Sequence, residues 1–248
     1  MRQILRATAI AVGLLAAAGA FAAGNSKKIT DVEASPEQEA TRHFNQGIQL
    51  RDAAWKAEKK LAAESDPKKI AKLEKKIRGF YEQAVEEQLN ATKLNRRFHE
   101  AYSSLGYAYR KLGDYTAALK AYDTALALKP DYPEAIEYRG QAYLGLNRID
   151  EAKKAYMALY GSDAEKAGML LDAFKAWVQS GPDVPADQVK EVEGWIADRA
   201  KLAALTGRGH EVGNGWASKG HEAGNGLAGK GHEAGNGAVG DEAGRGDF

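Results

Sequence analysis

The sequence predicts an all-α fold: a helical solenoid of about four antiparallel helix pairs, the first pair elongated, followed by a Gly-rich tail. Three observations predict it. Residues recur at a spacing of 34, pairing Ala101 with Ala135, Gly106 with Gly140, Tyr109 with Tyr143, Ala118 with Ala152 and Tyr122 with Tyr156. The opposite shift sets Ala118 on Ala84, Ala125 on Ala91 and Gly113 on Gly79. Small and large apolar residues alternate at helical spacing between these positions, which suits helices that pack closely. A fixed period of this size marks stacked helix pairs, none of which can bury its apolar face alone.

The totals bound the functions. The chain has 248 residues, a formal net charge of +1, 44% hydrophobic content and no Cys. Near-neutral charge leaves no basic footprint for nucleic acid. The absence of Cys excludes a disulfide framework, a cysteine zinc site and a lipidated N-terminal Cys.

Taken in order, residues 1–22 read as a secretory signal peptide. Arg2 and Arg6 precede a small-residue apolar run from Ala7 to Ala23, and Ala20-Phe21-Ala22 fits a small-x-small cleavage site. An uncleaved membrane anchor is the alternative. Residues 23–34 read as a disordered linker. Residues 35–98 form the first helix pair. Ser35-Pro36-Glu37-Gln38 is a capping box with Pro at the first helical position. Leu50, Ala54, Ala57 and Leu61 share a face, Asp66-Pro67 restarts a helix, and Ile70, Leu73, Ile77, Phe80 and Ala84 form a 3-4 stripe. The result is a long hairpin projecting beyond the solenoid, rich in Lys outside its stripe. Those lysines read as a solvated face or as a docking arm for an acidic partner or anionic surface.

Residues 99–132 are the clearest unit: Gly113-Asp114 turns the chain and Pro130 closes it. Residues 133–162 repeat it without the final proline. Residues 163–205 read as a capping pair. Ser162-Asp163-Ala164-Glu165 is expected as a second capping box. Met169, Leu170, Phe174 and Trp177 form the apolar face of the first of these helices, and Val189, Val192, Trp195, Ile196 and Ala200 that of the second.

The spaced residues Tyr102-x2-Leu105-Gly106-x2-Tyr109, Ala118-x3-Tyr122, Ala125 and Pro130, then Gly140-x2-Tyr143 and Ala152-x3-Tyr156, resemble the tetratricopeptide repeat family. Gly47 takes the Gly106 place in the first unit. The resemblance implies a right-handed solenoid whose first helices line a concave groove that binds extended or helical peptides. Matching the family's groove positions gives Phe44, Ile48 and Arg51, then Ser103, Tyr107 and Arg110, then Glu137, Tyr138, Gln141 and Leu144. Some members clamp a terminal carboxylate with Lys and Asn on these faces. Phe44, Ile48, Ser103 and Tyr107 depart from that clamp, so carboxylate capture is not expected. On this reading, replacing Tyr107 and Arg110 by Ala weakens partner capture and leaves melting nearly intact. The other reading packs Tyr107 and Tyr138 between repeats.

From Thr206 the composition changes. Residues 206–248 are Gly-rich, with His210, His221 and His232 at a period of 11, each followed by Glu. So much Gly cannot offset backbone entropy by burial, which predicts disorder. The His-Glu pairs are weak candidates for a transition metal. The stretch 224–231 falls short of a P-loop because Gly231 stands where Ser or Thr is needed. Arg245-Gly246-Asp247 spells an adhesion tripeptide that a Gly-rich tail matches easily. His43 and His99 are isolated and read as structural. No nucleophile elbow or catalytic constellation appears, so neither an enzyme nor a cofactor is expected.

The sequence thus reads as a non-enzymatic, exported protein–protein interaction scaffold of the bacterial cell envelope, periplasmic or secreted. The expected partner is a protein or peptide, not nucleic acid, and no membrane span is expected after signal cleavage. The alternatives are a metal- or surface-binding protein acting through the tail, and an oligomer assembled through the Lys-rich hairpin.

Overall fold

The computed structural model describes residues 34–206. The signal-peptide reading, nearly all of the 23–34 linker and all of the tail signals, His210, His221 and His232 included, lie outside the described residues. Eight helices follow one another: α1 (Pro36–Ala62), α2 (Pro67–Leu94), α3 (His99–Lys111), α4 (Tyr115–Leu128), α5 (Pro133–Gly145), α6 (Ile149–Ser162), α7 (Ala164–Gln179) and α8 (Ala186–Thr206).

The first two helices start where their caps dictate. Ser35 Oγ accepts from the Gln38 amide at 3.2 Å, and Gln38 Oε1 accepts from the Ser35 amide at 2.8 Å. That satisfies two of the amides every helix start leaves open. Asp66 does the same for α2, its Oδ1 accepting from the Lys68 amide at 2.8 Å. Between the helices, Ala54, Ala57, Ile77, Tyr81 and Ala84 form a buried core, with Leu50, Leu61 and Phe80 packed against it. The alanines let the axes approach, and Tyr81 fills the space left.

The 34-residue register is visible in the helix ends. The starts of α3 and α5, and of α4 and α6, are 34 residues apart, as are the last residues of α2, α4 and α6. The turn from α3 to α4 uses Gly113 at φ 86°, and Asn147 takes the same place in the next unit at φ 56°. Asn is one of the few residues to tolerate this region, and its Oδ1 accepts from Trp177 Nε1 at 2.9 Å. The seam explains Gly106. A Cβ there would lie 2.6 Å from the Tyr122 ring. At Gly47 it would meet Gln88, whose position precedes Tyr122 by 34. The long first pair therefore keeps the seam of the short ones.

The capping box expected at Ser162 does not form. Ser162 is the last residue of α6, and its Oγ donates to the Ala158 carbonyl at 2.9 Å. Asp163 both ends α6 and caps α7, accepting from the Lys166 amide at 2.9 Å. The link that carries Pro130 between α4 and α5 has shrunk to this one residue. Beyond it, Leu170, Phe174, Trp177 and Val192 are buried and Trp195 and Ile196 pack against them. Met169 is half-buried, and Ala200 is exposed rather than inward-facing. Helix α8 has 21 residues against 16 in α7, so its last turn outruns the helix it packs on.

The pairs stack in two layers. Helix α3 touches α1 and α5, and α5 touches α7, whereas the even-numbered helices touch only odd-numbered ones. The layer whose members meet is the inner side of the bend. The outer layer splays, leaving a cleft of about 360 Å³ between α4 and α6 lined by Leu126, Ile136, Tyr143 and Ala155.

Candidate functional site

The inner layer carries a continuous strip of rings and guanidinium groups. In α1, Arg51 lies 4.3 Å above the Trp55 ring. Trp55 meets Tyr107 of α3 edge-on at 5.9 Å, and its Nε1 donates to the Tyr107 hydroxyl at 2.6 Å. Tyr107 meets Tyr138 of α5 at 5.1 Å. The Arg110 guanidinium lies 5.0 Å from the Tyr107 ring and 5.6 Å from the Tyr138 ring. Three successive helix pairs thus contribute to one surface. Each such ring pair adds on the order of 1 kcal/mol beyond its buried area.

Charges lie beneath the strip. Arg110, Glu137 and Lys166 are all buried, and the Glu137 carboxylate accepts from Gln141 Nε2. Burial pushes the Glu137 carboxyl up to about 7, against the pull of Lys166 and Arg110. Arg110 and the Tyr122 hydroxyl interact with each other, and Oε2 of Glu137 makes no hydrogen bond among the described residues. Unsatisfied buried polar atoms are costly, so the inner face holds spare hydrogen-bonding capacity at its centre. A second buried pair closes the strip's far end. Lys111 Nζ lies 2.9 Å from Glu58 Oε1, which also accepts from the Tyr81 hydroxyl at 2.9 Å.

Of the groove residues read from the sequence, the structure brings Arg51, Tyr107, Arg110, Glu137, Tyr138 and Gln141 together. It does not bring in the other four. Leu144 belongs to the core shared by α5–α8, Ser103 is buried, Phe44 stacks on Phe98 at 4.8 Å, and Ile48 is half-buried with no ring or polar contact to the strip. Within the strip, Tyr107, Arg110 and Glu137 are buried, and Arg51, Trp55, Tyr138 and Gln141 are half-buried. Tyr107 and Arg110 therefore pack as well as face inward. Removing both would open a cavity and strip Glu137 of a facing cation, so that pair of substitutions is expected to lower melting.

Trp55, Glu58, Tyr81, Lys111 and Lys166 were not among the sequence-derived groove residues. A signal existed for two of them. Trp55 is four residues after Arg51 on one helix, which puts both on one face. Lys166 sits in the first turn of α7, where the helix dipole disfavours a cation, so its presence there asks for another partner.

The repeat positions behave as packing positions. Leu105, Ala118, Tyr122, Ala125, Ala152 and Tyr156 are buried, Tyr109 and Tyr143 half-buried, and Pro130 exposed. His43 Nδ1 lies 2.6 Å from Glu87 Oε2, and His99 meets Tyr132 edge-on at 5.0 Å. Among the described residues, no group of three or more His, Asp or Glu could hold a metal ion. No helix among them is long and apolar enough to cross a membrane.

Paired helices stacked in 34-residue register around an inner face define a helical-repeat protein of the kind that presents a surface rather than a pocket. Residues 106–147 match the family described as TPR repeat, and residues 139–166 the one described as tetratricopeptide repeat. Residues 106–166 of the chain thus carry tetratricopeptide repeats. The chain is similar to a heat shock protein sti1 homolog of Schizosaccharomyces pombe, 33% identical over 90 residues, which is 36% of this chain and 15% of that protein. It is also similar to an Hsp70-Hsp90 organising protein of Plasmodium falciparum, 32% identical over 79 residues, 32% of this chain and 31% of that protein. A second such protein, from Plasmodium falciparum isolate 3D7, is 32% identical over 79 residues, 14% of its length. The chain thus spans less than a third of each of these relatives.

Proposed function

We propose that this protein is a non-enzymatic adaptor that holds a partner polypeptide along its inner face, and that it works in the bacterial cell envelope. The observation that carries the adaptor reading is the strip Arg51–Trp55–Tyr107–Arg110–Tyr138, continuous across α1, α3 and α5. Aromatic and Arg side chains dominate interface energies where they cluster. Here the half-buried members, Arg51, Trp55, Tyr138 and Gln141, offer contact area, while the buried ones hold them in place. Two of its relatives are named as organising proteins of Hsp70 and Hsp90, which supports an adaptor role without specifying this partner. The envelope reading rests on the basic start and small-residue apolar run of residues 1–22.

The test is a photo-crosslinking side chain at Gln141, compared with one at Glu82 on the exposed outer surface of α2. Position 141 is expected to give a discrete crosslinked polypeptide that Trp55→Ala weakens about tenfold, with helicity retained. Equal labelling from both positions would remove the inner-face assignment. Fractionation of cells producing the full chain checks the envelope reading, which fails if the protein stays in the cytoplasm.

A further inference from the structure

The first pair is far longer than its fold requires. Helices α1 and α2 have 27 and 28 residues, against 13 and 14 in α3 and α4. At about 1.5 Å per residue that is roughly 20 Å of extra hairpin. The Lys111–Glu58 pair marks where α3 ends against it. Among the described residues, the hydrogen bonds and ion pairs of residues 59–79 stay within the hairpin.

This free end is strongly basic. Residues 56–78 hold eight lysines and Arg78 against four carboxylates. Three of those four serve the fold. Glu58 binds Lys111 and Tyr81. Glu64 accepts from the Ser65 and Asp66 amides, and Asp66 caps α2. Elsewhere the helices neutralise their own charges at i, i+3, as in Glu39–Arg42, Arg148–Glu151 and Asp172–Lys175. On α2, Lys68, Lys72 and Lys75 fall at i, i+4 and i+7, one exposed stripe flanked by the exposed Lys69 and Lys76. Lys68 and Lys69 also occupy the first turn of α2, where no acidic residue stands. The helix dipole disfavours cations there, and α1, α3, α5, α6 and α7 all carry acidic residues in that turn. Helix stability does not explain this stripe.

We infer that the tip of the α1–α2 hairpin docks on an anionic lipid bilayer through the Lys68–Lys72–Lys75 stripe. A polypeptide partner would need apolar anchors or a concavity, and the tip offers neither. Its exposed apolar residues are Ala62, Ala63 and Ala71, while Leu61, Ile70 and Leu73 turn partly inward. A convex, cationic end recognises diffuse negative charge, which a phospholipid headgroup surface supplies. The contact is peripheral and reversible, since no apolar segment of the tip enters the bilayer.

The test uses the full chain and vesicles of phosphatidylglycerol and phosphatidylcholine, or phosphatidylcholine alone, in a sedimentation assay. Binding is expected on the mixed vesicles only and should disappear at about 0.5 M salt, where screening is short-ranged. Lys68→Gln with Lys72→Gln and Lys75→Gln should lower partitioning on the order of 100-fold, about fivefold per lysine. Lys68→Glu with Lys69→Glu should lower it as well without lowering the melting temperature, which separates docking from folding. Equal binding to phosphatidylcholine, or undiminished binding by the triple variant with its helicity intact, would overturn the inference. So would failure to bind either vesicle while polyglutamate binds, an outcome that would assign the arm to acidic polypeptides. None of these outcomes depends on the inner-face partner.

Discussion

The first helix pair and the α3–α4 pair solve the same packing problem with different lengths. Both place a glycine, Gly47 or Gly106, against the residue at one repeat position, Gln88 or Tyr122. Both end in register, at Leu94 and Leu128. Most of the extra length lies toward the open end, where residues 67–80 of α2 precede the position that matches the start of α4. The repeat thus constrains the seam between pairs and leaves the free end of a hairpin open to elongation. Packing is specified where neighbours touch, and the arm is added where they do not.

Perturbing the junction of arm and seam should have the largest effect. Glu58→Ala leaves Lys111 buried without its carboxylate and the Tyr81 hydroxyl without its acceptor. A loss of about 3–5 kcal/mol is expected for breaking such a pair, measured by denaturant unfolding monitored by circular dichroism. A loss under 1 kcal/mol would mean that the arm is not anchored there.

The two seams should differ by less. Gly106→Ala drives a Cβ into the Tyr122 ring, which is fully buried, and should cost roughly 1–3 kcal/mol. At Gly47 the first atom met is the end of the buried Gln88 side chain, which can give way by releasing its 3.2 Å bond to the Phe44 carbonyl, at a cost of about 1 kcal/mol. Gly47→Ala should therefore melt closer to wild type than Gly106→Ala, and the reverse order would show that the first seam is the tighter.

The inner face adds a pH dependence. Burial raises the folded-state pKa of Glu137 from 4.5 to about 7, with Lys166 and Arg110 opposing and Gln141 and Glu134 also in its field. A raised carboxyl pKa means that the folded state holds the proton more tightly. Its contribution is complete below about pH 4.5 and is lost as pH rises through about 7. The stability of wild type relative to Glu137→Gln should therefore fall between pH 5 and pH 8 in thermal melts, and a flat difference would mean that Glu137 is ionised throughout.

The smallest effect is expected at the arm's tip. Lys68→Glu with Lys69→Glu relieves the mismatch with the α2 dipole, gives up the exposed Lys69–Glu64 contact at 3.8 Å, and should leave stability unchanged or raised by up to about 1 kcal/mol at low salt. A drop would mean that these lysines have a folding role.

Much of this comparison was legible in the chain. The 34-residue spacing gave the seam, and Ser35 and Asp66 announced the starts of α1 and α2, because caps and repeats are local signals. What stayed hidden came from distant partners. Tyr107 and Arg110 match groove positions, but their burial depends on Trp55, 52 residues earlier, and on Tyr138. The cap lies at Asp163 rather than Ser162 because the link lost its Pro130 counterpart, and a helix takes whatever residues its register reaches. Ala200 keeps its helical spacing, but α8 outlasts its neighbour.

Helix α1 runs unbroken from the Ser35 cap through Arg51, Trp55 and Glu58 to the tip, and it has no glycine after Gly47 and no proline after Pro36. The residue that meets Tyr107 therefore rides on the same rod as one side of the tip, and the Lys68–Lys72–Lys75 stripe packs beside it on α2. Force applied at the tip is delivered as torque about the Glu58–Lys111 fulcrum, within one turn of Trp55. Whatever the arm rests on sets the angle at which the inner face is presented, as a boom sets its sail.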